Sequence, residues 1–161
     1  MDYFEEEKEV EAAFKKMIED LVVEFGQQKE TAEETPSGLR ILKLTEGNGE
    51  QPKVGQYVMV NYAGWLSNGD LFDSNITEVA LKFNKLNPGR RDQGGYQPVP
   101  MLFSPEAPLF PGFREGLLSM KVGDKIRVFL PPHLGVGAQG RGPIPPNSDL
   151  VFDIEITGIK Q

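Results

Sequence analysis

Three side chains near the middle of the chain could share one apolar site. Tyr62 lies in a run of alternating apolar residues, and Phe72 and Asp73 follow it after the pair Asn68-Gly69. Asn-Gly between two such runs is typical of a β-hairpin, because both residues tolerate the positive φ angles of a type I′ turn. The hairpin would place two aromatic walls and one carboxylate on adjoining stretches of chain.

The composition excludes several kinds of catalysis. The chain has no cysteine and one histidine, His133, which excludes thiolate nucleophiles, Cys-His dyads and histidine-cluster metal sites. No G-x-S-x-G motif accompanies His133, so a serine hydrolase is not expected. We therefore predict a site without metal or cofactor, and we expect His133 on an exposed loop.

The acidic side chains are concentrated at the N-terminus. Residues 1–34 hold 12 acidic and 4 basic residues, whereas the remaining 127 hold 12 acidic and 13 basic ones. No basic stripe is available to neutralise phosphates, so nucleic acid is not an expected partner. The isolated pair Arg90-Arg91 predicts a solvated loop. No apolar run reaches the roughly 20 residues of a transmembrane helix.

Two cellular locations fit this sequence. Its acidic start differs from the basic start of a secretory signal, which favours a cytoplasmic protein. If a signal preceded Met1 and was removed, the protein would be periplasmic or exported, and the chain could also be a fragment of a longer protein.

Residues 3–28 are predicted to form one amphipathic helix. Apolar side chains recur there at intervals of three or four residues and give a single stripe. They are Val10, Phe14, Met17, Leu21 and Phe25. The stripe either packs on its own domain or forms a dimer seam or partner-docking surface, and the two interpretations have equal weight. Polar residues 29–36 predict a linker, which divides the chain into an acidic arm at 1–36 and a domain at 37–161.

Strand patterns dominate the domain. Alternation predicts strands at 39–44, 57–66, 125–130 and 150–159, with one short helix within 110–120. This pattern predicts an α+β fold in which an antiparallel sheet packs on the short helix. Residues 75–100 combine a turn or two of helix with a Gly/Pro-rich stretch, which indicates a long insertion.

Gly135, Gly137 and Gly140 match the dinucleotide-binding pattern G-x-G-x-x-G. That pattern requires a helix directly after the glycines, but RGPIPPNSD follows and cannot begin one. The glycines instead predict a tight surface loop that brings Val136 and Ile144 over a neighbouring pocket.

Four blocks in this order resemble FKBP-type peptidyl-prolyl isomerases, the macrolide-binding immunophilins. The blocks are VNYAGWLSNGDLFDS, LFPGFREGLLSMKVGDK, PPHLGVGAQGRGPIPPN and LVFDIEI, within residues 38–160. The resemblance implies a twisted antiparallel half-barrel wrapped around the short helix, with an apolar prolyl pocket between them. It implies isomerisation of X-Pro bonds in polypeptide substrates, which assists protein folding. We expect a bacterial member with a long insertion and an N-terminal helix.

The resemblance also implies roles for individual residues. It implies that Asp73, Tyr62 and Phe72 are catalytic. It implies substrate contacts from Met101, Leu109, Phe110, Phe113, Val136, Ile144 and Phe152, with the backbone N–H of Phe110 as donor to a carbonyl. Val136 stands where the family commonly has a tyrosine that donates a hydrogen bond, and Phe113 where a tryptophan is usual. One lost hydrogen bond costs about 0.5–1.5 kcal/mol, so we expect macrolide affinity to be reduced.

Two functions are consistent with these residues. One is an active isomerase, in which a dry aromatic pocket stabilises the twisted amide because it is less dipolar than the planar one. The other is a weakly active or inactive proline-binding or chaperone module. Val136 and the insertion favour the second, whereas Asp73 and the aromatic walls favour the first. The aromatic residues could also be plain core side chains, and Asp73 a turn cap.

Overall fold

Alternating side chains build a seven-stranded antiparallel sheet in the computed structural model, which describes residues 2–161. The strands are β1 (Glu33–Glu34), β2 (Arg40–Thr45), β3 (Tyr57–Leu66), β4 (Leu71–Ser74), β5 (Val99–Leu102), β6 (Lys125–Leu130) and β7 (Leu150–Ile159). The helices are α1 (Tyr3–Thr31), α2 (Thr77–Lys82), α3 (Pro88–Asp92) and α4 (Pro111–Leu118). The strand order is β1-β2-β6-β7-β3-β4, with β5 paired to β3, and the two ends of the sheet do not meet.

One face of the sheet packs on α4. Phe113 and Leu117 of this helix are buried in one core with Val128 of β6 and Phe152 of β7. Each strand contributes every second side chain to this face, as the pleat requires. Gly116 allows the helix to approach closely, because a Cβ atom there would lie 3.0 Å from Cγ1 of Val128. The predicted α+β half-barrel around one short helix is confirmed.

The opposite face of the sheet is covered by the second half of α1. Phe25 is buried there, with its ring centroid 5.4 Å from that of Trp65 and 6.4 Å from that of Phe129, both edge-on. From Met17 onward the apolar stripe therefore packs on the domain. Before that point Phe14 is half-buried and Val10 is 65% exposed.

A buried ion pair lies under this part of α1. Arg127 of β6 donates to both carboxylate oxygens of Asp153 at 2.7 and 2.9 Å and to the side chain of Gln28 at 2.9 Å. The guanidinium also lies 5.1 Å from the ring centroid of Phe25. Removing Arg127 would deprive the buried Asp153 carboxylate of this ion pair, which is strongly destabilising.

Residues 29–36 differ from the expected linker. α1 continues to Thr31, Ala32 is buried, and β1 pairs with β2. Backbone hydrogen bonds thus join the arm to the sheet. None of the helices in residues 2–161 is long and apolar enough to cross a membrane.

The hairpin between β3 and β4 forms, but the predicted type I′ turn is wrong. The N–H of Gly69 donates to the carbonyl of Leu66 at 3.0 Å, and the N–H of Leu66 donates to that of Asp70 at 2.9 Å. Within this turn only Gly69 has a positive φ, of 87°. This is a three-residue turn with a left-handed glycine.

The insertion after β4 returns to the same edge of the sheet. It forms α2 and α3 and comes back as β5, which pairs with residues 57–60 of β3. The buried amide of Asn75 secures both ends, because it donates to the carbonyls of Val60 and Gln97 at 2.9 Å each. It also accepts from the N–H of Tyr62 at 2.8 Å. The insertion is therefore held beside β3 and not free in solvent.

Replacing Phe25 with alanine should lower the free energy of unfolding by about 3–5 kcal/mol, because a buried ring is lost from the contact between α1 and the sheet. Urea unfolding followed by the fluorescence of Trp65, the single tryptophan, measures this change. The matched control is Val23→Ala on the same helix, where Val23 is 58% exposed. It should change the stability by less than about 0.5 kcal/mol. Equal stabilities of the two variants would show that α1 does not pack on the sheet.

Candidate functional site

An opening between the start of α4 and the sheet brings most of the predicted residues together. It consists of two cavities of about 230 and 390 Å³ that share Asp73, Phe110, Arg141 and Phe152 in their walls. The smaller cavity is also lined by Tyr62, Met101, Leu109 and Phe113. The larger is also lined by Phe72 and Ile144.

Aromatic rings form the floor of this opening. Phe152 is 4% exposed, and its ring centroid lies 5.1 Å from that of Phe113 and 5.4 Å from that of Phe72, both edge-to-face. Such edge-on pairs add about 0.5–1.5 kcal/mol beyond the area they bury. Gly64 of β3 makes room for them, because a Cβ atom there would lie 2.6 Å from the rings of both Phe72 and Phe152.

A carboxylate with two donors borders both cavities. Tyr62 donates its phenol proton to Oδ2 of Asp73 at 2.7 Å, and Nη1 of Arg90 donates to Oδ1 at 2.8 Å. Nε of Arg90 donates in turn to the carbonyl of Gly95 at 3.1 Å, and its guanidinium lies 4.9 Å from the ring centroid of Tyr96. Asp73 therefore faces the opening with its charge balanced.

Arg90 and Arg141 are site residues that the sequence did not predict, and Arg90 is the one bound to Asp73. We expected it on a solvated loop, but it is half-buried and salt-bridged to Asp73. The insertion folds back to β3 and carries α3, and with it Arg90, towards the carboxylate. An arginine pair in a Gly/Pro-rich stretch carries no local signal of such a contact.

The pKa of Tyr62 is raised by its surroundings. Burial, followed by the hydrogen bond to Asp73, raises the pKa of the phenol to about 12. The phenol therefore keeps its proton at neutral pH and remains a donor to the carboxylate. The stability that this group contributes is complete below about pH 10 and is lost as the pH rises through about 12.

Phe110 supplies a backbone donor at the opening. It is the N-cap residue of α4, extended at ψ 139°, and Pro111 follows it as the first helical residue. Within residues 2–161 its N–H has no protein acceptor. Since Phe110 lines both cavities, this N–H is available to a ligand carbonyl.

Val136 is the predicted site residue that the opening does not include. It packs against the main core, whereas Ile144 and residues 141–143 of the same loop line the larger cavity. No helix follows Gly140, because Arg141 and Ile144 exchange two backbone hydrogen bonds of 2.9 Å. His133 lies on this exposed loop, with Nε2 2.9 Å from the carbonyl oxygen of Ser37.

A larger groove, of about 450 Å³, lies between α1 and the segment around Phe83. Its charged groups are exposed and pair along the helix, as Lys16 and Asp20 do at 2.9 Å. A polar group held at an apolar floor suits ligand binding better, so we assign the site to the opening beside α4. No three acidic or histidine side chains in residues 2–161 are grouped to hold a metal ion.

The family model for FKBP-type peptidyl-prolyl cis-trans isomerases matches residues 48–157, more than half of the chain. The chain belongs to this family. The FKBP-type resemblance of the four sequence blocks is thereby confirmed, and the matched family is one of isomerases. The family match does not favour the alternative of an inactive binding module.

Individual FKBP-type relatives cover different shares of this chain. It is 36% identical over 134 residues to FkpA of Aeromonas hydrophila, which is 83% of this chain but 42% of that protein. It is also 36% identical to FK506-binding protein 1 of Dictyostelium discoideum, over 76% of this chain and 99% of that one. The crystal structure of FkpA from Escherichia coli superposes with a TM-score of 0.63 at 30% identity, over 95% of this chain and 62% of that one. The chain thus spans less than half the length of the Aeromonas protein.

Tyrosinate absorbance should show Tyr62 ionising with a pKa of about 12, because its phenol is buried and bonded to Asp73. Subtracting the titration of Tyr62→Phe from that of the unchanged protein isolates this group, and Tyr57→Phe supplies the reference for a half-exposed tyrosine. Circular dichroism at each pH verifies that the fold persists. A Tyr62 midpoint near 10 would mean that the phenol is hydrated and not bonded to the carboxylate.

Proposed function

We propose that this chain catalyses cis-trans isomerisation of X-Pro bonds in polypeptides and thereby assists their folding. The observation that carries the proposal is the aromatic-floored opening beside α4, bordered by the carboxylate of Asp73 and its two donors. Membership in the FKBP-type family supports the same reaction. Residues 37–161 would be the isomerase domain, with the insertion at 75–100, and residues 1–36 its helical arm.

The proposed catalysis needs no covalent intermediate. Rotation about a peptide bond has a barrier of about 18–20 kcal/mol, because amide resonance is lost in the twisted state. The twisted amide is less dipolar than the planar one, so a water-poor pocket over Phe113 and Phe152 stabilises the transition state relative to the ground state. The free N–H of Phe110 would hold a substrate carbonyl while the bond turns. Asp73 would touch the substrate at the edge shared by the two cavities and would keep Tyr62 in place as a wall.

Macrolides are a second proposed ligand class for the same opening. The Dictyostelium relative is named an FK506-binding protein and matches over nearly its whole length. Reduced affinity is proposed here, since Val136 has no hydroxyl to donate and packs against the core.

Substitutions at the opening should lower kcat/KM for short X-Pro peptides. Phe72→Ala removes about 1.5–3 kcal/mol of apolar contact, which corresponds to about a 10- to 150-fold loss. Asp73→Asn weakens charge-assisted hydrogen bonds worth about 1.5–3 kcal/mol, so a loss of similar size is expected. The assay follows isomerisation against the uncatalysed rate.

Arg91→Gln is the matched control for these variants. Arg91 is exposed and directly follows Arg90 in the chain. Its side chain pairs with Asp92 and lines neither cavity. The substitution should leave kcat/KM unchanged. Turnover by the unchanged chain no faster than the uncatalysed rate would overturn the proposed activity.

We also propose that the exposed first half of α1 pairs with a second copy of the chain. Residues 2–11 carry six acidic side chains and one lysine, whereas Lys15 and Lys16 follow on the same helix. Antiparallel pairing around Val10 would place each lysine pair beside the acidic start of the other copy and would cover both apolar stripes.

Val10→Glu should convert a dimer into a monomer, because it places a charge at the centre of the paired stripe. Sedimentation equilibrium measures the mass. The control Val54→Glu makes the same change at a valine that is 69% exposed and lies outside the arm. Deleting residues 2–14 should act like Val10→Glu while leaving the packed half of α1 in place. A monomeric full-length chain would remove the pairing proposal.

A further inference from the structure

We propose that Arg141 makes the opening select polypeptides with an acidic residue directly beside the proline. The proposal rests on the isomerase function proposed above and concerns the substrate class of the same site. Arg141 would be a specificity-determining residue, since it touches the substrate beside the bond that turns.

Arg141 lies between the two cavities. It lines both, and its guanidinium carbon is 5.9 Å from the ring centroid of Phe110, which also lines both. Neighbouring Cα atoms in a substrate are 3.8 Å apart. Whichever cavity receives the proline ring, the side chain of an adjacent residue therefore comes within reach of Arg141.

The backbone holds Arg141 at this position independently of its side chain. Arg141 and Ile144 exchange two backbone hydrogen bonds of 2.9 Å. The preceding Gly140 has φ 69°, and a Cβ atom there would lie 2.8 Å from the carbonyl oxygen of Ile144, so the turn depends on this glycine. Replacing the exposed side chain of Arg141 leaves these contacts unchanged.

The charge of Arg141 is available to a ligand. Arg90 is bound to Asp73, and the other oxygen of Asp73 accepts from Tyr62. Within residues 2–161, the side chain of Arg141 has no ion pair within 4.0 Å and no hydrogen bond, and its guanidinium makes a cation–π contact with the ring of Phe110. The site therefore carries one uncompensated positive charge, in a chain whose net charge is −7.

An acidic side chain is the chemical complement of this site. A guanidinium binds a carboxylate through two parallel hydrogen bonds, and the adjoining apolar wall weakens the competition from water. A lysine beside the proline would meet an unpaired cation of its own sign. Because Arg141 is exposed, we expect kcat/KM for a Glu-Pro peptide to exceed that for the matched Gln-Pro peptide about three- to fivefold at low salt.

The test compares two peptide series, Ala-Xaa-Pro-Phe and Ala-Leu-Pro-Xaa, with Xaa as Glu, Gln or Lys. NMR exchange spectroscopy measures the isomerisation directly, so no coupling protease adds its own preference. We expect kcat/KM to fall in the order Glu, Gln, Lys in at least one series, and we expect these differences to become smaller in high salt. Arg141→Gln should abolish the order, Arg141→Glu should reverse it, and the control Arg91→Gln should retain it.

Failure of the role proposed for Arg141 and failure of the isomerase function would give different results. Equal kcat/KM for the three peptides of both series, or a glutamate preference that survives in Arg141→Gln, would overturn the role of Arg141 and leave the isomerase function intact. Turnover of none of the peptides would overturn the isomerase function. In that case, NMR titration with the Glu and Gln peptides would still test whether Arg141 selects acidic peptides. Equal affinities of the two peptides would overturn that role.

Discussion

The edge-on packing of Phe152 against its neighbouring rings is the contact on which the proposed site depends. Phe152 belongs to β7, Phe113 to α4 and Phe72 to β4, so one aromatic cluster joins the sheet, the helix and the hairpin. The cluster forms only because Gly64 leaves room above β3. An apolar floor and the alignment of three elements therefore have the same physical origin, and a change in one would disturb the other.

Polar groups at this site are arranged so that no charge is buried alone. The Asp73 carboxylate is satisfied by a phenol on β3 and a guanidinium from the insertion, which is itself held by the buried amide of Asn75. Because the charges of Asp73 and Arg90 cancel, the positive charge at the mouth of the opening comes from Arg141. The insertion thus decides the electrostatics of a site whose apolar walls come from the rest of the domain.

The N-terminal helix has two halves with different surroundings. Its second half covers the part of the outer face around Trp65 and Phe129, through Phe25 and the Arg127–Asp153 pair, and shields that part from water. In its first half Val10 of the same stripe is exposed. The continuous period of the stripe could not reveal this division, because a packed face and an exposed docking face have the same spacing.

Alternation, turn glycines and block order are local properties of the chain, so the sequence predicted β2, β3, β6, β7, the short helix, the hairpin and the FKBP-type blocks. It did not predict β1 and β5, which lie in the segments interpreted as a linker and an insertion. It also pointed to nine residues that the tertiary structure brings to one opening. The tertiary structure alone decided that Arg90 reaches Asp73, that Val136 faces the core, and that Arg141 lies between two cavities. Each of these depends on how far a loop folds back across the sheet, which is set by contacts between residues distant in the chain. The packing of α1 also requires a glycine at the β3–β4 turn, since Cγ2 of Ile18 lies 2.8 Å from where a Cβ atom at Gly69 would be.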